Sequence, residues 1–225
     1  MLGEQIGEEG PGFFIGFFNR IFINNLFWCR VLRFDPPGPL RPRSVINYNA
    51  IALKDKKEPD KMKKSVYIET SIVSYLTAKP SRDVRAAAWQ EITNQWWDDV
   101  RPDYDLFTSE LVIVEVSAGN PEASVRRLEA IEGIAELSID EEVKELANQL
   151  ISKGGFPPGA EADALHVAVA AVHRIDYLLT WNFRHIDNAA KKPIIRSICI
   201  AAGYSYPEIC TPMELLREDK DNAQR

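Results

Sequence analysis

At 225 residues, 45% of them hydrophobic and 27% charged, the chain has the size for one good core plus an appendage. Its formal net charge of -6 argues against a broad phosphate-neutralising surface. Three cysteines, Cys29, Cys199 and Cys210, are odd in number and lack disulfide-framework or zinc-type spacing, so they read as reduced thiols of a cytoplasmic protein.

Residues 1–61 differ from the rest. A glycine-rich start is followed by an apolar, aromatic run interrupted by Asn19, Arg20, Asn24 and Asn25, then by a proline-rich stretch over 35–42. No helical or alternating period is sustained, and the run is too short and interrupted for a membrane span. This segment holds nine Lys and Arg against seven Asp and Glu, so residues 62–225 carry 18 against 26, a net of -8. We therefore expect 1–61 to be a non-domain extension, either a mis-assigned start or disordered, with the folded unit at 62–225. Lys57-Glu58 can be encoded by a purine-rich ribosome-binding sequence, which fits initiation at Met62.

From there strands alternate with helices. Residues 65–68 have the β-branched and aromatic character of a buried strand, and Glu69 follows directly, with Thr70 and Ser71 after it. A helix begins at 72–76 and breaks near Pro80. A longer one is expected over 83–100, with Ala87, Ala88, Ile92, Trp96 and Val100 near one face. Trp89, Trp96 and Trp97 read as packing residues. Pro102 ends that helix, 104–108 reads as a strand, and Ser109 as the cap of a helix to 118. Glu110, in its first turn, is explained by the helix dipole, whereas Glu115 lies deeper in an apolar series.

A helix over 122–131, a strand at 135–137 and a helix capped by Asp140 through 152 come next. The alanine-rich helix over 161–172 opens with Glu161 and Asp163, and a carboxylate on so small and apolar a helix is expected to face something. His166 and His173 have ordinary explanations as helix residues. A strand over 176–180 ends on Thr180-Trp181-Asn182, and a helix over 191–202, a strand at 208–210 and a helix to 217 complete the pattern. Alternation of this kind predicts an α/β fold, a three-layer α/β/α sandwich around a parallel sheet.

Val-Tyr-Ile-Glu-Thr-Ser at 66–71, Ser109 with Glu115, Asp163-Ala-Leu-His-Val-Ala-Val-Ala, and Leu-Leu-Thr-Trp-Asn-Phe-Arg-His-Ile at 178–186 resemble the successive motifs of PIN domains. The VapC-like toxins of toxin-antitoxin pairs are similar over essentially all of 64–217. The resemblance implies a metal-dependent endoribonuclease in which Glu69, Glu115 and Asp163 hold Mg²⁺ or Mn²⁺. Thr180 and Asn182 supply the fourth position's hydroxyl and oxygen. It also implies an RNA substrate, a homodimer and a cognate antitoxin. Two departures from the family's pattern stand out: glutamate at the first position, and asparagine rather than aspartate at the fourth. Asp187 is near enough in sequence to be weighed as a substitute, though a surface role suits it better.

General chemistry agrees. Two carboxylates about 4 Å apart repel by roughly 4 kcal/mol at an effective dielectric near 20, so an acidic cluster calls for cations or raised pKa values. Hard oxygen donors suit Mg²⁺ or Mn²⁺. A competing expectation is a catalytically silent module that binds RNA or a protein. A phosphatase or nucleotide hydrolase lacks support, since neither a glycine-rich phosphate loop nor an aspartyl nucleophile pair is present.

Overall fold

The computed structural model describes residues 63–216, and the expectations for residues 1–61 lie outside them. Val66, Tyr67 and Ile68 are fully buried, as a strand covered on both faces requires. They belong to β1 (Lys64–Ile68), the middle strand of a five-stranded sheet. The other strands are β2 (Tyr104–Ser109), β3 (Ala135–Leu137), β4 (Tyr177–Leu179) and β5 (Glu208–Cys210). Every pairing is parallel and the spatial order is β3-β2-β1-β4-β5.

On the β2 and β3 side, the connections supply α1 (Thr70–Thr77), α2 (Val84–Gln95), α3 (Glu110–Ser117) and α4 (Pro121–Ala130). On the return come α5 (Glu141–Ser152), α6 (Glu161–Val172) and α7 (Lys192–Ala201), and the short α8 (Pro212–Leu215) closes against α2. Helix α1 packs on α2, α3 and α4, and α5 packs on α6 and α7, giving the two outer layers of the α/β/α sandwich. The chain leaves β1 toward β2 and later returns beside β1 as β4, so the order reverses between these two strands. In parallel sheets such a reversal opens a crevice at the strands' carboxyl ends.

Two elements differ from the sequence-based expectation. Helix α2 stops at Gln95; a π turn (Trp96–Val100) and a 3₁₀ turn (Arg101–Asp103) containing Pro102 follow. Its buried face is Ala86, Gln90 and Thr93, while Ala88 is exposed. Polar residues point inward here because each has work there. Gln90 Oε1 accepts from the Ser81 amide at 2.9 Å and its Nε2 donates to the Lys79 carbonyl at 2.9 Å, which pins the preceding loop. Ser109 does stand at the N-cap position of α3, but its hydroxyl bonds Tyr67 instead of the helix amides.

Asp140 caps α5 as expected, its Oδ1 accepting from the Val143 amide at 3.0 Å. Asp140→Ala is expected to cost about 1 kcal/mol of stability. Denaturant titration should show a lower midpoint at unchanged slope, with Asp140→Asn close to the parent. Cys199 and Cys210 are free and buried, and burial pushes their thiols up to about 11 and about 12. Cys29 lies outside the described residues. Among the described residues no helix is long and apolar enough to cross a membrane.

Candidate metal centre

Glu69 leaves β1 where the crevice opens and serves as the N-cap of α1. Its Oε2 accepts from the Ser71 amide at 3.1 Å, from the Ser71 hydroxyl and from Thr180 Oγ1 at 2.8 Å. One carboxylate oxygen is thereby committed to the cap. The other, Oε1, faces His166 Nε2 at 3.9 Å.

Thr180 follows β4 directly, so the parallel pairing of β1 with β4 brings it beside Glu69. Its oxygen also accepts from the Asn182 amide at 2.9 Å, while the Trp181 amide donates to Ser71 Oγ at 2.8 Å. The ends of the two strands are tied together by hydroxyls from both sides.

Glu115 reaches the same place from the second turn of α3, and like Glu69 it is only 6% exposed. Its Oε2 accepts from the Thr70 hydroxyl and lies 3.1 Å from His166 Nε2. His166, on the fully apolar stretch of α6, is 1% exposed, and its Nδ1 is 2.9 Å from the Tyr67 hydroxyl. Tyr67 in turn is 2.7 Å from Ser109 Oγ. One ligand atom from each of Glu69, Glu115 and His166 falls within 4.8 Å of the others.

Asp163 lies one turn before His166 and is held differently. Its two oxygens accept from Asn182 Nδ2 at 2.8 Å and pair with His185 Nδ1 at 2.6 Å. The Asn182 Oδ1 meanwhile accepts from the His185 amide at 3.2 Å. Through Asn182 and Thr180 this second cluster connects to Glu69.

The electrostatics follow from burial. Loss of hydration raises the Glu69 carboxyl above its usual range, and the charge of Glu115 adds to this, while His166 and the two hydroxyls oppose it. For His166, burial disfavours the charged ring, but Glu115 and Glu69 outweigh it and raise the pKa. Two buried carboxylates and an imidazole converge here, a donor set suited to a divalent cation.

The five residues singled out from sequence therefore fall in two linked groups. Glu69, Thr180 and Glu115 surround the converging atoms, and Asp163 and Asn182 form the adjoining cluster. His166 and His185 are additional members that sequence reasoning did not select. For His166, the available signal was a polar ring within the apolar run from Ala164 to Val172, because a buried ring nitrogen needs a partner. Asp187, weighed as a substitute for Asn182, is paired with Lys192 at 2.5 Å and its side chain is buried, contrary to a surface role.

The sequence model of the PIN domain matches residues 66–192, more than half of the chain. The chain belongs to the PIN domain family. PIN domains are generally metal-dependent nucleases, so hydrolase chemistry and a divalent ion come with the family. This PIN domain carries its compatible donor set where Glu69, Glu115 and His166 meet. No curated protein matches the chain.

Proposed function

We propose that this PIN domain is an endoribonuclease that hydrolyses RNA phosphodiester bonds with Mg²⁺ or Mn²⁺, and that it is the VapC-like toxin of a toxin-antitoxin pair. The observation that carries the reading is the convergence of the buried Glu69 and Glu115 carboxylates at the carboxyl edge of the sheet. In this reading Glu69 and Glu115 hold the ion directly and Asp163 holds it through water. A bound divalent ion would supply positive charge for the scissile phosphate and ease deprotonation of the attacking water.

The chain's own residues prepare the rest. Ser71 and Thr180 fix one oxygen of Glu69 and leave the other facing inward. Asn182 and His185 hold Asp163, and Asn182 is itself anchored on Thr180. Water adds to phosphorus as the bond to O3′ breaks, giving a 5′-phosphate and a 3′-hydroxyl. The folded unit in this proposal is 62–225, cytoplasmic and homodimeric, and its acidity suits an antitoxin with a basic segment.

A second reading, a silent module that binds RNA or protein, is favoured by one observation. Asn182 is neutral where the family pattern often has an acid, and its amide is spent on Asp163. Labelled RNA incubated with the full chain separates the two. Cleavage in Mn²⁺ or Mg²⁺ is expected to stop with chelator and return with added ion. Asp163→Ala should slow it by about 10²-fold. Products should carry 5′-phosphates; a contaminating metal-independent ribonuclease leaves 5′-hydroxyls. Bound metal without cleavage of varied RNAs supports the silent module.

A further inference from the structure

We propose that His166 is a direct ligand in the metal centre, making it a two-carboxylate, one-imidazole site that prefers Mn²⁺ to Mg²⁺. The inference rests on the metal-centre reading above and deepens it. Three observations carry it. His166 Nε2 lies 3.1 Å from Glu115 Oε2 and 3.9 Å from Glu69 Oε1, so it faces both acids and not one alone. The ring is almost wholly buried, so its position is fixed by packing on α6. Finally, the opposite nitrogen already has the partner that a metal-bound histidine needs.

That partner is Tyr67, whose hydroxyl lies 2.9 Å from Nδ1 and 2.7 Å from Ser109 Oγ. A neutral imidazole carries one ring proton on either nitrogen. With the proton on Nδ1, the ring donates to Tyr67 Oη, the Tyr67 hydroxyl donates to Ser109 Oγ, and the Nε2 lone pair is left toward the carboxylates. With the proton on Nε2, the ring donates to Glu115, and the Tyr67 hydroxyl turns to donate to Nδ1. The same three side chains satisfy both tautomers, so the metal-free and metal-bound rings need no repacking. An oxygen acceptor on the far nitrogen is the usual means of fixing the tautomer and orientation of a ligating histidine.

Nitrogen in the donor set changes which ion is preferred. Mg²⁺ favours all-oxygen surroundings and keeps its waters, whereas first-row divalent ions accept imidazole. Glu69 and Glu115 alone would distinguish these ions poorly.

The test is metal binding by the full-length protein, followed without RNA. Mn²⁺ is titrated into metal-free chain with Mg²⁺ as competitor, and the bound Mn²⁺ is examined by pulsed electron paramagnetic resonance for coupling to a ligated ¹⁴N. The native protein is expected to show the coupling and to prefer Mn²⁺ by about 10-fold or more. His166→Gln should lose both while still binding Mn²⁺ through its acids, and His173→Gln, whose ring meets the Ser138 carbonyl away from the site, should keep both. Tyr67→Phe retains the ring and should keep the coupling, with Mn²⁺ affinity reduced by about 10-fold to 100-fold. Because it leaves His166 in place, it tests the proposal even where the glutamine variant does not fold. Bound Mn²⁺ without ¹⁴N coupling overturns the ligand assignment and leaves the metal centre standing. Failure of the native chain to bind Mn²⁺ overturns both.

Discussion

Glu115→Gln is expected to lower RNA cleavage by about 10³-fold while leaving the fold intact, as measured by initial rates on labelled RNA beside a thermal melt. The substitution keeps the side chain's size and one carbonyl oxygen for the Thr70 hydroxyl. That same oxygen also lies 3.1 Å from His166 Nε2 and still accepts from it. Hydrogen bonding at the buried position is therefore preserved, and only the negative charge is lost. In the metal-free protein that charge acts both ways, raising the Glu69 carboxyl, which burial raises first, and favouring the charged His166 ring. Melting without metal should accordingly stay within a few degrees of the parent, since roughly 1 kcal/mol corresponds to 2–4 °C at this size. Stabilisation of the native chain by added Mn²⁺ should shrink, because ligand binding to the folded state is what raises its melting point. Cleavage within about 3-fold of the parent would remove Glu115 from the chemistry.

How much of this was legible differs between the scaffold and the site. The layer order was readable because β1 is a run of apolar residues, Val66 to Ile68, bounded by the polar Ser65 and Glu69, and because turns such as Gly119-Asn120-Pro121 punctuate the helices. Glu69, Glu115 and Asp163 stood out through the motifs they sit in, although Glu69 also caps α1 and Asp163 lies in the first turn of α6, where an acid is favoured. His166 did not. Its partner Glu115 is 51 residues away in the chain and Tyr67 is 99 away, so only the folded sheet brings them together. His185, 22 residues from Asp163, was hidden for the same reason. The expected face of the 83–100 stretch holds at Trp96 and Val100, both buried, but misses Gln90 and Thr93, which look like solvent-facing residues. They turn inward because the loop before α2 and the Trp181 indole offer them bonds.

That indole supports the second large effect: Trp181→Ala is expected to destabilise the protein by about 3–5 kcal/mol. Trp181 is only 3% exposed and sits immediately after Thr180. Its ring stacks on Trp89 with centroids 5.6 Å apart and meets the edges of Tyr75 and Phe183, while Nε1 donates to Thr93 Oγ1 at 2.8 Å. Truncation opens a cavity between α1, α2 and the end of β4. At roughly 2–4 °C per kcal/mol, the melting point should fall by about 6–20 °C. Trp181→Phe keeps most of the apolar area and loses the indole donor; it should cost about 1–2 kcal/mol, since Thr93 still donates to the Trp89 carbonyl. Activity should fall further than the folded fraction explains. The Trp181 amide donates to Ser71 Oγ, and that hydroxyl holds Glu69 Oε2, so a backbone loosened at 181 slackens the first acid of the site. Adding Mn²⁺ should recover part of the lost stability by binding the folded state. A melting point within about 2 °C of the parent would show that the aromatic cluster does not bear on the fold.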